Sequence, residues 1–245
     1  MTAFSANLNK IALLRNTRDC GYPSLESAAR WCLDAGAHGI TVHPRPDRRH
    51  TRPADVTLLR ALTRSRRVEF NIEGYPDESF LGLVIANRPD QCTLVPDEPD
   101  QRTSDHGWDC ARHLELLTRV CTRLKAAGIR VSLFIDPEPA AAAQAAAAGA
   151  DRVELYTEPY ALAYPTSDRA AVLARYRTTA EAATRAGLGI NAGHDLNLTN
   201  LAEFLAIVPK VEEVSIGHAL ISDALELGMA EAVRRYVAVC VGAKG

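Results

Sequence analysis

The sequence predicts a single α/β domain over residues 1–245, a (β/α)8 or TIM barrel with extra helices. Three observations carry that expectation. The chain has 245 residues, close to the length of about 250 typical of one such barrel. Short apolar runs alternate with helical segments across the whole chain, with short connections between them. Helical segments end repeatedly on Ala-Gly, at Ala35-Gly36, Ala127-Gly128, Ala148-Gly149 and Ala186-Gly187, a stop signal because glycine accepts the left-handed conformation that closes a helix. A doubly wound open sheet is the structural alternative. It would leave edge strands, yet none of the apolar runs carries the charge or proline that protects an edge.

Taken in order, Phe4–Asn9 reads as the first strand, followed by a loop with Arg15-Asn16-Thr17-Arg18. Ser24 is a helix N-cap for Leu25–Asp34, which keeps an apolar face. Gly39–Val42 is a buried strand that breaks into Pro44-Arg45-Pro46-Asp47-Arg48-Arg49-His50. Pro53–Arg66 is an amphipathic helix with proline in its first turn. Val68–Ile72 is the third strand, ending on Glu73-Gly74, and Asp77–Ala86 is a helix. Gln91–Val95 is the fourth strand, ending on Pro96-Asp97-Glu98. The polar loop 99–109 then breaks the rhythm, as lids and binding loops do. Helix Cys110–Ala127, strand Ile129–Ile135, helix Glu138–Ala148 and strand Arg152–Leu155 follow. Ser167–Ala186 is a long helix, Leu188–Ala192 a strand, Leu198–Ile207 a helix and Glu213–Ile216 the eighth strand. Ala219–Val239 closes the chain as one helix. Arg67, Arg130 and Arg152, at the strands' N-terminal ends, read as solvated.

A hydrophobic content of 47% allows a sizeable core. A net charge of -2 and a pI near 6.4 argue against generic nucleic-acid binding, so the arginines serve local anions. No apolar run is long enough to span a membrane and no leader pattern opens the chain, which reads as cytoplasmic and free of the membrane. The six cysteines form no CxxC pair and read as reduced.

The polar residues fall at the strands' C-terminal ends: Asn7 and Asn9, His43 and Arg45, Glu73, Asp97, Asp136, Glu154 with Thr157, Asn191 with His194, and His218. In a barrel these ends converge on one mouth, which points to an enzyme. Glu73 follows an apolar run directly, and a carboxylate there must be paired, protonated or part of a site. Glu154 alternates with Val153 and Leu155, so it faces the barrel interior, where pairing and catalysis both remain open. Asp136 is a helix cap or a site residue. Asn191-Ala192-Gly193-His194-Asp195 and Ser215-Ile216-Gly217-His218-Ala219 look like anion cradles, because glycine lets main-chain N–H groups approach and a helix N-terminus favours negative charge. Arg18, Arg45 and His50 would meet a second anion. Two cradles imply a substrate with two phosphates, or two phosphorylated substrates. His43, Asp97, Asp136, His194 and His218 are possible metal ligands, but no HxH stands on the first strand and no HExxH occurs.

Asn7-Leu8-Asn9-Lys10-Ile11-Ala12-Leu13-Leu14-Arg15-Asn16, Gly39-Ile40-Thr41-Val42-His43-Pro44-Arg45 with Asp47-Arg48-Arg49-His50, Ser132-Leu133-Phe134-Ile135-Asp136, Asn191-Ala192-Gly193-His194 and Ile216-Gly217-His218-Ala219 together resemble the pyridoxine 5'-phosphate synthase family. The likeness runs from about Asn7 to Tyr236. It implies a cytoplasmic homo-octamer of (β/α)8 barrels with extra helices, and no metal or organic cofactor. The implied reaction condenses 3-amino-2-oxopropyl phosphate with 1-deoxy-D-xylulose 5-phosphate to pyridoxine 5'-phosphate, phosphate and water. By the same resemblance His43 and Glu73 are acid–base residues and His194 is a proton donor. Asn7 and Arg18 would contact the aminoketone phosphate, with Gly217 and His218 helping to hold it. Arg45, His50 and Thr103 would contact the deoxyxylulose phosphate, and Asp195 joins the substrate-binding set. Asn9-Lys10 stands where many members carry Asp-His, so this pair's hydrogen bonding to the sugar differs here. Gly74-Tyr75-Pro76 also departs from the apolar sequence of some members. Arg48 and Arg49 receive no role.

Overall fold

The computed structural model describes residues 1–97 and 104–242. Its centre is a closed barrel of eight parallel strands in sequence order, β1 pairing with both β2 and β8. The elements are β1 (Ala3–Asn7), α1 (Asn9–Asn16), α2 (Leu25–Asp34), β2 (Gly39–Val42), α3 (Pro53–Arg66), β3 (Glu69–Gly74), α4 (Glu78–Asn87) and β4 (Gln91–Leu94). They continue with α5 (Leu114–Ala126), β5 (Arg130–Ile135), α6 (Pro139–Ala147), β6 (Arg152–Leu155), α7 (Glu158–Ala163) and α8 (Arg169–Arg185). The chain ends with β7 (Gly189–Gly193), α9 (Leu201–Ile207), β8 (Val211–Ile216), α10 (His218–Leu227) and α11 (Met229–Gly242).

Local chemistry sets many of these boundaries. Ser24 caps α2 by accepting from the Ser27 main-chain N–H at 3.3 Å. Asp77 caps α4 by accepting from Phe80 N at 2.7 Å. Pro53 opens α3, and Asp55 accepts from Arg52 N at 2.7 Å. Three expectations are corrected. Residues 9–16 form a helix and not a loop; their N-cap, Leu8, makes no side-chain cap bond, so no capping signal announces the helix. The last helix is two, divided at Gly228, whose φ of 79° is left-handed. The segment 110–113 precedes α5 as a turn.

Alternate strand residues face opposite ways. The outward set, including Phe4, Ile40, Val42, Phe70, Ile72, Val131, Leu133, Val153, Leu155, Val214 and Ile216, is buried against the helices. Tyr236 of α11 stacks on Phe4 with ring centroids 5.2 Å apart and donates to Asp223 at 2.6 Å. The inward set is largely polar. Ser5 and Thr41 share a hydrogen bond of 2.7 Å, and Thr93 donates to Asn71 at 3.2 Å. Asn191 of β7 donates to Gln91 of β4 at 3.2 Å, and these strands are not neighbours, so the bond crosses the barrel.

Arg130 and Arg152 belong to this interior layer, contrary to the solvated reading. Arg130 pairs with Glu69 at 2.5 Å and donates to Gln91 at 3.0 Å. Arg152 reaches Gln91, Asn191 and Glu213 at 3.3, 3.1 and 3.3 Å, and Glu212 at 2.6 Å. Burial and the adjacent Glu69 charge push the Glu213 carboxyl well up. Arg152→Met should therefore cost about 3 kcal/mol by stripping several buried acceptors of their donor at once. Urea unfolding measures this, and a loss below about 1 kcal/mol would contradict the network reading.

Candidate active site

The strands' C-terminal ends open onto one cleft. Its walls include Asn7, Asn9, Lys10, His43, Arg45, His50, Glu73, Ser104, Phe134, Glu154, Glu158, His194, Asp195, Ser215, Gly217 and His218. The structure thus brings together all the site residues that the family resemblance implied except two. Arg18 is exposed beyond the end of α1 and does not line the cleft. Thr103, with the rest of residues 98–103, lies outside the described residues.

A pair of amides at the end of β1 ties the cleft together. Asn7 donates from Nδ2 to Glu73 Oε2 at 3.3 Å, across non-neighbouring strands. Asn7 Oδ1 accepts from Asn9 N at 3.1 Å, and Asn9 Oδ1 accepts from His43 N at 2.8 Å. Main-chain N–H groups only donate, so both amide orientations are set by chemistry. The oxygen of Asn9 is therefore committed to the protein, and its NH2 is the end left for a ligand.

Glu73 and Glu154 are held towards neutrality. Burial first, then the charges of Glu154 and Asp97, pushes Glu73 well above the usual carboxylate range. Burial raises Glu154 to about 7 against the opposing charge of His194. Glu154 Oε2 has no hydrogen-bond partner among the described residues. Glu154, left open by the sequence between pairing and catalysis, is thus part of the cleft.

The imidazoles are tuned in opposite directions. Burial, followed by the charges of Arg45, His50, Arg49 and His194, holds His43 well below the ordinary histidine value. His50 meets it edge-on with ring centroids 6.0 Å apart. Burial and the charges of Arg49 and Arg45 push His50 down to about 4. For His194, burial lowers the pKa, but the Asp195 hydrogen bond and the charges of Asp195, Glu154 and Asp97 outweigh it, and the net shift is upward. His194 Nδ1 lies 2.6 Å from Asp195 Oδ2. Its φ of 37° is left-handed. The turn is clamped by Thr157, whose hydroxyl donates to Gly193 O at 2.5 Å and accepts from Asp195 N at 3.2 Å.

The two expected anion cradles follow β8 and β2, the strands that flank β1. Gly217 caps α10, and a Cβ there would come within 3.1 Å of Asn7, so glycine keeps the approach open. After β2, Arg45 pairs with Asp97 at 2.5 Å, both side chains nearly sealed at 4% and 2% exposure. Asp97 also accepts from Ser104 at 2.9 Å. Among the described residues no group of three or more His, Cys, Asp or Glu side chains could hold a metal ion.

Sequence reasoning placed Asp136 and Asn191 at the mouth, and the structure gives them other work. Asp136 accepts from Gly107 N at 3.1 Å and anchors the loop before α5. Asn191 belongs to the interior layer. Ser104, Phe134 and Glu158 were missed as cleft residues, and Ser215 was read only as the start of an anion cradle. Ser215 and Phe134 carried one usable signal, since each shares strand parity with a residue already singled out at the same mouth.

A sequence model of the family described as pyridoxal phosphate biosynthesis protein PdxJ matches residues 4–242. The chain belongs to this family. A pyridoxine 5'-phosphate synthase of Allorhizobium ampelinum is 55% identical over 241 residues, covering 96% of each chain. One of Bacteroides thetaiotaomicron is 53% identical over 236 residues, covering 96% of this chain and 98% of its own. Among solved structures, a thiamine phosphate pyrophosphorylase from Pyrococcus furiosus superposes with a TM-score of 0.65 at 15% identity, covering 100% of this chain and 97% of the other. That likeness concerns the barrel alone.

Proposed function

We propose that the protein is a pyridoxine 5'-phosphate synthase, joining 3-amino-2-oxopropyl phosphate to 1-deoxy-D-xylulose 5-phosphate. The single observation that carries this reading is near-full-length membership of the PdxJ family. The cleft supports it, with a buried acid, two oppositely tuned histidines and anion cradles after β2 and β8.

The reaction is a series of proton transfers. The amine adds to the ketone and loses water to give an imine. Removal of a proton beside the imine gives an enamine, and phosphate leaves from the deoxyxylulose part. Carbon–carbon closure and a further loss of water form the pyridine ring. Glu73 cycles protons at the ring-forming carbons, a task suited to a carboxyl whose raised pKa brings it nearer to working pH. His43, neutral at neutral pH, accepts protons, and His194, with its raised pKa, donates to departing oxygens. Asn7, Gly217 and His218 hold the aminoketone phosphate, and Arg45, His50 and Thr103 hold the ketose phosphate. Asn9, Lys10 and Asp195 complete the substrate contacts. The reading needs no organic cofactor or metal, and extends to a cytoplasmic homo-octamer built from one barrel domain per chain.

Purified protein given both substrates should develop the absorbance of pyridoxine 5'-phosphate, and neither substrate alone should. No product from the pair would leave a non-catalytic sensor of sugar phosphates as the better reading. The pH profile is a further check. Activity should rise as pH climbs through the low pKa of His43 and fall as pH passes the raised pKa of His194. Asp195→Asn removes the hydrogen bond and charge that raise His194, so the alkaline limb should move to lower pH while the acid limb stays. An unmoved alkaline limb would take the donor role away from His194.

A further inference from the structure

Helix α1 enters the reaction only through its first residues, yet its polar side chains turn toward the loop between His43 and Thr51. One oxygen, Asn9 Oδ1, accepts from His43 N at 2.8 Å and from the Thr51 hydroxyl at 3.1 Å, so it ties both ends of that loop. At the other end of the helix Asn16 Nδ2 lies 3.3, 3.0 and 2.7 Å from the carbonyl oxygens of Arg48, Arg49 and His50. Asn16 Oδ1 accepts from Arg15 Nε at 3.1 Å and Nη2 at 3.0 Å. A guanidinium only donates and a carbonyl only accepts, so this amide has one orientation. Arg15 in turn grips Asp55 of α3 at 2.5 and 2.9 Å and reaches His50 O at 3.3 Å. Within the loop, Arg48 has a left-handed φ of 54° and its N–H closes a turn onto Arg45 O at 3.0 Å. A non-glycine residue keeps that conformation where its surroundings over-determine it. Arg15 and Asn16 do not line the cleft.

We propose that α1 is a splint for the 44–50 loop, and that Asn16 is a positioning residue that sets Arg45 and His50 for the phosphate of the ketose substrate. The side chain touches neither substrate. It acts by fixing three consecutive carbonyls, and with them the backbone from which His50 projects into the cleft. This inference rests on the proposed synthase activity and on the assignment of Arg45 and His50 to the ketose phosphate.

The test is steady-state kinetics of wild type, Asn16→Ala and Asn16→Asp, with each substrate varied in turn. Asn16→Asp keeps the acceptor for Arg15 and replaces only the donor that faces the carbonyls. Both variants should raise KM for the ketose phosphate about tenfold, the loss of roughly one well-placed hydrogen bond. KM for the aminoketone phosphate and kcat should stay within about twofold. Wild type making no product defeats the functional reading itself. With an active wild type, the splint is overturned if both KM values rise together, if only kcat falls, or if Asn16→Asp behaves as wild type. Failure of both variants to fold would also overturn it, making Asn16 a determinant of the fold.

Discussion

Glu73→Gln is expected to lower turnover by about 10^3-fold, the scale of a lost general acid–base group, while both substrates still bind with nearly unchanged affinity. Glutamine has the shape of the carboxyl it replaces, and its oxygen can still accept from Asn7, which now lies 3.3 Å from Glu73. What disappears is the transferable proton. Burial beside Glu154 and Asp97 favours the neutral acid in the resting protein, so the amide mimics the charge state in which substrates arrive. Binding should survive and chemistry should not. Equilibrium binding of each substrate together with single-turnover product formation separates the two. A variant that keeps most of its activity would remove Glu73 from the mechanism.

Gly193→Ala is expected to be the most damaging change that removes no functional group. A Cβ at Gly193 would stand 2.1 Å from the Ser215 carbonyl oxygen, a main-chain atom of the adjoining strand. No side chain can swing away to relieve this contact, so β7 and β8 must separate. Thr157 already holds the Gly193 carbonyl at 2.5 Å, which blocks the easy direction of retreat. His194 follows directly and would move with the strand. A displacement near 1 Å costs about a hundredfold in rate, so activity should fall by about that factor, with overpacking adding about 1–3 kcal/mol of destabilisation. Gly82→Ala in α4 is the control: a Cβ there meets nothing within 4 Å, and a helical position gains up to about 1 kcal/mol from the change. Thermal unfolding and kcat of the two variants make the comparison. Wild-type behaviour of Gly193→Ala would contradict the packing argument.

The barrel was legible because its signals are local. Gly39–Val42 and Pro53–Arg66 carry their own punctuation, a buried run broken by proline and a helix opened by proline, and the structure keeps both boundaries. His43, Glu73 and His194 were legible because polar chemistry placed directly after an apolar run has one destination in a parallel barrel. Helix α1 was not, since Leu8 provides no side-chain cap and the segment is only eight residues long. Arg130 and Arg152 misled for a different reason. A basic residue at the start of a strand looks solvated until closure of the barrel brings acids and amides from non-neighbouring strands against it. Asn16 is the clearest case of information absent from the sequence. Its partners are carbonyls more than thirty residues away, and main-chain oxygens carry no residue signature.

The most direct measurement is the stoichiometry of one reaction mixture, followed by mass spectrometry for the ring and by a phosphate assay. Pyridoxine 5'-phosphate and inorganic phosphate should appear together, one of each for every pair of substrates consumed. Phosphate released without the ring, or no turnover of the pair, would contradict it.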